Sequence, residues 1–360
     1  MTDTAKATEY IVAETNPARV VEVTADIGNA RSVVLVREAE SATPTAVTMP
    51  SIRSLHGAFS YELFAARGLA AGSWSKLRSG EHVLERDGTE RYVGALAAEF
   101  APAASSGRGS DARYSDGTTL DFILAGIAAA LPGATKIAAK LTTMLPISLY
   151  HLAPGVVAAL RGTHRFIYNG RAITLTIGAV EVKREGEAAF AAIDGDTSGN
   201  VVLVDVGGRT ANVALFKDGT YRTGATLELG VQAALDNLDK ALIGRGLRPL
   251  SLTERDELEA ALIAGRDYSI VHAGASVRVD DIARGQLDTT AHALAQELQA
   301  KVKLDQARRV VFVGGGAHAP LFGATIRAAI PRCELGGLRE LANAYGAMSG
   351  AQPKKGKGRK

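Results

Sequence analysis

The chain lacks several things, and each shortage excludes a class of protein. Among 360 residues there is a single cysteine, Cys333. No internal disulfide and no Cys-x-x-Cys pair is available, which excludes a disulfide scaffold and fits a reducing cytoplasm. Aromatic residues make up 5% of the chain, with one tryptophan, Trp74. They do not form the stacking series that single-stranded nucleic acid needs. The seven histidines (His56, His82, His151, His164, His272, His292 and His318) show no His-x-x-x-His spacing, so zinc is not expected. Long apolar runs are missing too. The longest, Phe122 to Leu131, is closed off by Asp121 and Pro132; it is too short for a bilayer and predicts a buried helix. No secretory signal opens the chain, because Met1 to Ala18 is polar and mixed in charge. There is no Gly-x-x-x-x-Gly-Lys-Ser/Thr loop, no Gly-x-Gly-x-x-Gly and no Gly-x-Ser-x-Gly elbow.

Basic charge is scarce outside one place. The net charge is +3, but residues 354–360 hold five cations and no acid, and removing those five leaves −2. A mildly acidic body with a basic tail after Pro353 is the expectation. The tail, with Lys354, Lys355, Lys357, Arg359 and Lys360, predicts disorder and weak contact with nucleic acid or acidic lipid, or a solubilising terminus.

Two Asp-Gly turns are what the chain does have. Val21 to Val36 runs as strand, Asp26-Ile27-Gly28-Asn29 turn, strand. Val201 to Phe216 repeats the text around Asp205-Val206-Gly207-Gly208-Arg209-Thr210. A carboxylate at a strand end can hold a hydrated metal ion, and glycines beside it admit a phosphate to backbone N–H groups. An ordinary hairpin turn also uses Asp and Gly. Two such turns between apolar strands point to a duplicated fold that grips a nucleotide from both sides.

Other segments fill in an α/β pattern. Helices are expected at 118–131, 153–161, 229–243, 251–264 (capped by Ser251 or Thr253), 290–304 and 338–348, and strands at 137–142, 164–168, 171–177, 179–183 and 309–313. Asn169-Gly170 and Lys217-Asp218-Gly219 predict hairpin turns. Residues 50–115, with Gly57, Gly68, Gly72, Gly80 and Gly88, predict a small irregular subdomain. Gly314-Gly315-Gly316-Ala317 follows a buried strand and offers side-chain-free backbone to a base or ribose. Glu185, between a strand and a helix, could orient or deprotonate a water attacking a phosphate, and Glu187 competes for that role.

In their order, these parts resemble the actin-like ATPase superfamily. The two Asp turns look like its phosphate motifs, and Val313 to Ala317 looks like its adenosine motif. Within it, the text most resembles ParM/StbA-type plasmid-segregation actins: Leu145-Pro146 through Leu152, Leu160-Arg161-Gly162, the Asn169-Gly170 hairpin, Val180-Glu181-Val182 leading to Glu185-Gly186, and Leu341 to Ala347. The resemblance spans roughly residues 19–350. It implies an α/β, actin-like fold of two RNase H-like domains (duplicated βββαβα) flanking a nucleotide cleft, with two small inserted subdomains. The expected layout is a flexible leader at 1–18, domain I at 19–195 with an insert at about 50–115, and domain II at 196–350 with an insert at about 245–288. The final helix, 338–348, would return to domain I, and 351–360 would be the tail.

The resemblance further implies an ATPase that assembles into dynamic filaments and moves plasmid DNA through a DNA-binding adaptor of ParR type, in the cytoplasm. A small-molecule kinase and a non-hydrolysing scaffold of the same fold are the alternatives. Its cofactors would be ATP, with GTP as the alternative, and Mg²⁺. Catalysis would fall to Glu185 and Asp205, and the metal, largely through water, to Asp26 and Asp205. Phosphate contacts would come from Gly28, Asn29, Gly207, Gly208, Arg209 and Thr210. Adenosine contacts would come from Gly314, Gly315, Gly316 and Ala317, and from Gln232, Asp236 and Lys240. Asn212 departs from the family, where an acid is common, and Arg209 is unusual in its turn.

Overall fold

Strands β1 (Arg19–Ile27) and β2 (Arg31–Arg37) pair antiparallel around the first Asp turn, and β3 (Thr45–Pro50) pairs with β2 on the far side. The structure is a computed structural model that describes residues 18–39, 42–55, 77–78, 80–100, 111–330 and 332–348. Residues 1–17 of the expected leader, the basic tail, Trp74, His56 and the glycines Gly57, Gly68 and Gly72 lie outside them.

The rest of the first sheet comprises β4 (Arg53–Leu55), β5 (Glu81–Arg86), β6 (Thr89–Gly94), β7 (Lys136–Leu145), β8 (Gly162–Tyr168) and β9 (Arg171–Arg184). Its order is β3-β2-β1-β7-β9-β8-β5-β6-β4. The second sheet holds β10 (Asn200–Val206), β11 (Ala211–Lys217), β12 (Thr220–Leu227), β15 (Arg309–Val313) and β16 (Cys333–Leu335), in the order β12-β11-β10-β15-β16. A separate ribbon pairs β13 (Ser269–His272) with β14 (Ala275–Arg278).

The duplication is visible in the pairing. In each half, the first strand (β1, β10) pairs antiparallel with the second (β2, β11) and parallel with a later one (β7, β15), and the second pairs antiparallel with the third (β3, β12). That later strand in turn pairs parallel with a further one in both halves, β7 with β9 and β15 with β16. Each Asp therefore sits at the penultimate position of an interior strand of its own sheet.

Burial explains the apolar runs. β2 is buried at six consecutive positions because helices cover both its faces. Val34 and Val36 share a core with Phe122, Ile123 and Ile127 of the helix Thr118–Ala130, while Val33 and Leu35 pack on Ala344 and Met348. That first helix lies so close that a Cβ at Gly126 would overlap Val34. In the second half, Val202, Val204 and Val206 face Leu294 and Leu298 of the helix Asp280–Lys301, and Val201 and Leu203 face Ala189 and Phe216 on the other side. Phe190, from the short helix Glu187–Phe190 that follows β9, stacks on Phe216 with ring centroids 3.6 Å apart. The first half is thereby anchored onto the back of the second sheet.

The structure departs from expectation in three places. The described part of the 50–115 segment is regular: β5 and β6 form a hairpin turned by Asp87-Gly88, both at positive φ, and extend the first sheet through β8. That dipeptide carries the same turn chemistry as Asn169-Gly170, whose φ values are also positive. The expected strands 171–177 and 179–183 fuse into the 14-residue β9, with a register irregularity opposite Ala139/Lys140 in place of a break. The helix expected from residue 290 begins at Asp280, where Asp280 and Asp281 place negative charge at its positive end.

Candidate functional site

Both Asp turns open onto one cavity of about 440 Å³ between the two halves. Asp26, Gly28 and Asn29 line it from the first half. Asp205, Gly207, Gly208 and Thr210 line it from the second, with Gly314, Gly315 and Gly316 along one wall. Glu185 completes it from the end of β9, held by its backbone N–H donating to the Leu145 carbonyl at 2.8 Å.

Close backbone approach explains the glycines. At Gly208 a Cβ would lie 2.7 Å from that of Ala30, across the cleft from the other turn. Gly314 has φ +86, and a Cβ there would overlap the Asp205 carboxylate and the Val206 carbonyl. Neither position tolerates a side chain. The loop's carbonyls receive the first amides of the helix Val231–Gly244: Gly230 N–H donates to Arg209, Val231 to Gly207 and Gln232 to Gly208. The helix start is satisfied by the turn itself, which locks the two together.

The electrostatics are those of crowded acids. Burial, and then the Asp205 charge, push Asp26 up to about 7. Burial, with Asp26 and Asp205 behind it, holds Glu185 well above the usual carboxylate range, and burial raises Asp205. Opposing this are Arg113 and two asparagines. Arg113 is buried, donates to Asn29 Oδ1 at 3.1 Å and bonds the Tyr114 hydroxyl. Asn343 Nδ2 donates to Asp205 Oδ2 at 2.6 Å, and Asn212 Nδ2 donates to Glu185 Oε2 at 2.6 Å. Asp205 raises Asp26, and both raise Glu185, so the three carboxylates crowd negative charge on one cavity that a cation would relieve. Among the described residues no three His, Cys, Asp or Glu side chains are grouped tightly enough to ligate a metal ion directly.

No family model matches the sequence, and no curated protein matches it. Solved structures do. An archaeal actin homologue aligns at 17% identity over 92% of this chain and 98% of its own, with a TM-score of 0.67. A 15-stranded ParM filament from Clostridium botulinum aligns at 17% over 92% and 98%, with a TM-score of 0.69. Bacillus thuringiensis ParM with ATP aligns at 16% over 92% and 97%, with a TM-score of 0.61. The chain has the actin-like fold of the ParM type.

Within this actin-like fold most of the expected site residues converge, but not all. Arg209 points away from the main cavity; its Nε donates to Glu228 at 2.9 Å, and it lines a smaller neighbouring pocket with Arg113 and Tyr114. Ala317 is buried beneath the glycine run and is not on the cavity wall. Gln232, Asp236 and Lys240 also fall outside the lining. Gln232 Nε2 donates to Asp236 at 2.9 Å along the helix, and Lys240 is exposed; Val231 is the residue of that helix that reaches the cavity. Glu187 pairs with Arg184 at 3.0 Å, which leaves Glu185 as the cleft carboxylate. Sequence reasoning missed Arg113, Asn343, His318, Arg339 and Glu340, the last four of which line the cavity. Only Asn343, within the family-like run Leu341 to Ala347, had a local signal.

Proposed function

We propose that this chain is a cytoplasmic actin-like ATPase that binds ATP with Mg²⁺ in the cleft, assembles into filaments and separates DNA molecules through a DNA-binding adaptor. The observation that carries this reading is the convergence of Asp26, Asp205 and Glu185, from two equivalent hairpins and a third strand, on one cavity. The solved relatives of the same fold include a ParM with ATP and a ParM filament, which supports nucleotide binding and self-assembly here.

The residues divide the work by position. Gly207, Gly208 and Thr210 on one side, with Gly28 and Asn29 on the other, flank the space for the phosphates; Gly314, Gly315 and Gly316 lie where a flat base or ribose can rest on bare backbone. Magnesium, when bound, would neutralise phosphate charge, with Asp26 and Asp205 holding it through its water shell. Glu185 orients the attacking water and takes its proton as the water oxygen bonds to the terminal phosphorus and the bond to the ADP oxygen breaks. Positioning and charge complementarity supply most of the acceleration in such a reaction.

Light scattering and phosphate release, recorded together after adding ATP·Mg²⁺, test this reading. Scattering should rise and then decay as phosphate accumulates, and negative-stain images at the maximum should show filaments. A protein that binds neither ATP nor GTP, or that turns over ATP only with an added small-molecule acceptor and without scattering, would reject it.

A further inference from the structure

Each half of the molecule holds the key carboxylate of the other through an asparagine. Asn212 sits on β11, directly opposite Asp205 in the second sheet, yet its Nδ2 donates 2.6 Å to Glu185 of the first half. Asn343 belongs to the last helix, Ala342–Ala347, which packs on the first half, yet its Nδ2 donates 2.6 Å to Asp205 of the second. Asn343 also accepts the Gly186 N–H at 3.0 Å, next to Glu185. The two links form a reciprocal pair across the cleft.

The Asn212 amide has one admissible orientation. Its Oδ1 receives the Ile147 backbone N–H at 3.3 Å and the Thr226 hydroxyl at 2.7 Å. A backbone N–H is always a donor, so the oxygen must face Ile147 and the NH₂ must face Glu185. The Thr226 oxygen in turn accepts the Ser148 N–H at 3.1 Å, which commits its proton to Asn212. Asn212 is 1% exposed. Ile147 and Ser148 are first-half residues, so Asn212 reads the seating of the first half and the place of Glu185 at the same time.

We propose that Asn212 is a positioning residue for hydrolysis: it fixes Glu185 through Oε2, turns Oε1 toward the nucleophilic water, and does so only while the 147–148 turn is docked on the second half. Hydrolysis is thereby tied to a closed cleft. This rests on the ATPase reading above. An acid in place of Asn212 would set two carboxylates against each other and remove the donor. The charged and titratable groups facing Glu185 are Asp26, Asp205, Arg113 and Tyr114, so the neutral amide supports the ionised base without adding to the negative charge.

Steady-state ATP turnover and fluorescent-nucleotide binding, measured from pH 5.5 to 9 on the wild type, Asn212→Ala and Asn212→Asp, test the proposal. For Asn212→Ala, kcat should fall tenfold or more, with KM for ATP·Mg²⁺ and nucleotide affinity within twofold. For the near-isosteric Asn212→Asp, the rising limb of the pH–rate profile should move up by about one unit or more. Asn212→Asp also serves as the readout if truncation to Ala lowers the melting temperature. Wild-type kcat in Asn212→Ala, or an unshifted profile in Asn212→Asp, overturns the proposal while leaving the ATPase reading intact. A wild type that neither binds nor cleaves ATP overturns both.

Discussion

At Asp26, burial and the facing Asp205 push an ordinary carboxyl up to about 7, and that has a direct consequence for stability. A raised acid binds its proton more tightly folded than unfolded. The cost of ionising it in the fold is absent below about pH 4, grows as pH rises, and is complete above about pH 7. In the absence of nucleotide and divalent cation, Asp26→Asn should therefore be more stable than wild type by up to about 4 kcal/mol at pH 8 and equal to it near pH 3.5. Thermal melts across that range check the sign. Asp205→Ala should reduce ATP turnover at least a hundredfold, as expected where charge placement dominates, while circular dichroism stays unchanged; unfolding would assign the residue a structural role. Both aspartates were legible because each ends an apolar strand and is followed by glycine, all within a few residues. Arg113 and Asn212 were not legible as partners. Arg113 lies 84 positions from the Asn29 it bonds, and Asn212 lies 27 from Glu185, and no local pattern marks either pairing.

Among the elements, the helix Thr118–Ala130 shows how a buried charge can tie layers together. Asp121, on its first turn, is fully buried and forms ion pairs with Arg53 at 2.8 Å, Arg86 at 3.0 Å and Arg91 at 3.3 Å. Those arginines come from β4, β5 and β6, so one carboxylate fastens the outer strands to the helix. Asp121→Ala leaves clustered cations with no counter-charge and should cost about 3 kcal/mol or more, measured by urea unfolding. The charge itself was visible in the sequence as the boundary of the apolar run. Its partners were not, because the β5–β6 hairpin was hidden in a glycine-rich stretch that gives little alternation. Capping was easier to read: Ser251 Oγ accepts the Glu254 N–H at 3.2 Å, and Glu254 accepts the Ser251 N–H at 2.9 Å, a reciprocal pair spelled by Ser-x-x-Glu. The adenosine candidates Gln232, Asp236 and Lys240 lie off the cavity wall for a geometric reason. Spaced four apart, they form a stripe along the helix, whereas only the start of that helix meets the cavity.

For the whole molecule, ligand and fold are coupled by mass action. The cavity is walled by both halves, so a nucleotide seated there stabilises their closed arrangement. ATP·Mg²⁺ at a hundredfold excess over its Kd should add about 3 kcal/mol to unfolding. Chelating the metal should remove most of that gain, because the three acids then face the phosphates without neutralisation. Differential scanning calorimetry with and without chelator measures it. Arg184 adds a joint between the halves: its guanidinium lies 3.9 Å from the centroid of Tyr150 in the first half and 5.1 Å from that of Tyr221 in the second. That joint is the last residue of β9, a 14-residue strand whose other end is the Asn169-Gly170 hairpin. At about 3.3 Å per residue it spans roughly 45 Å, broken only by the bulge at Gly178, and the Glu185 carboxylate proposed for catalysis follows directly on its tip. The Asn169-Gly170 hairpin and Glu185 are therefore opposite ends of one continuous strand, so a displacement of the hairpin along the strand axis reaches the cleft through backbone alone.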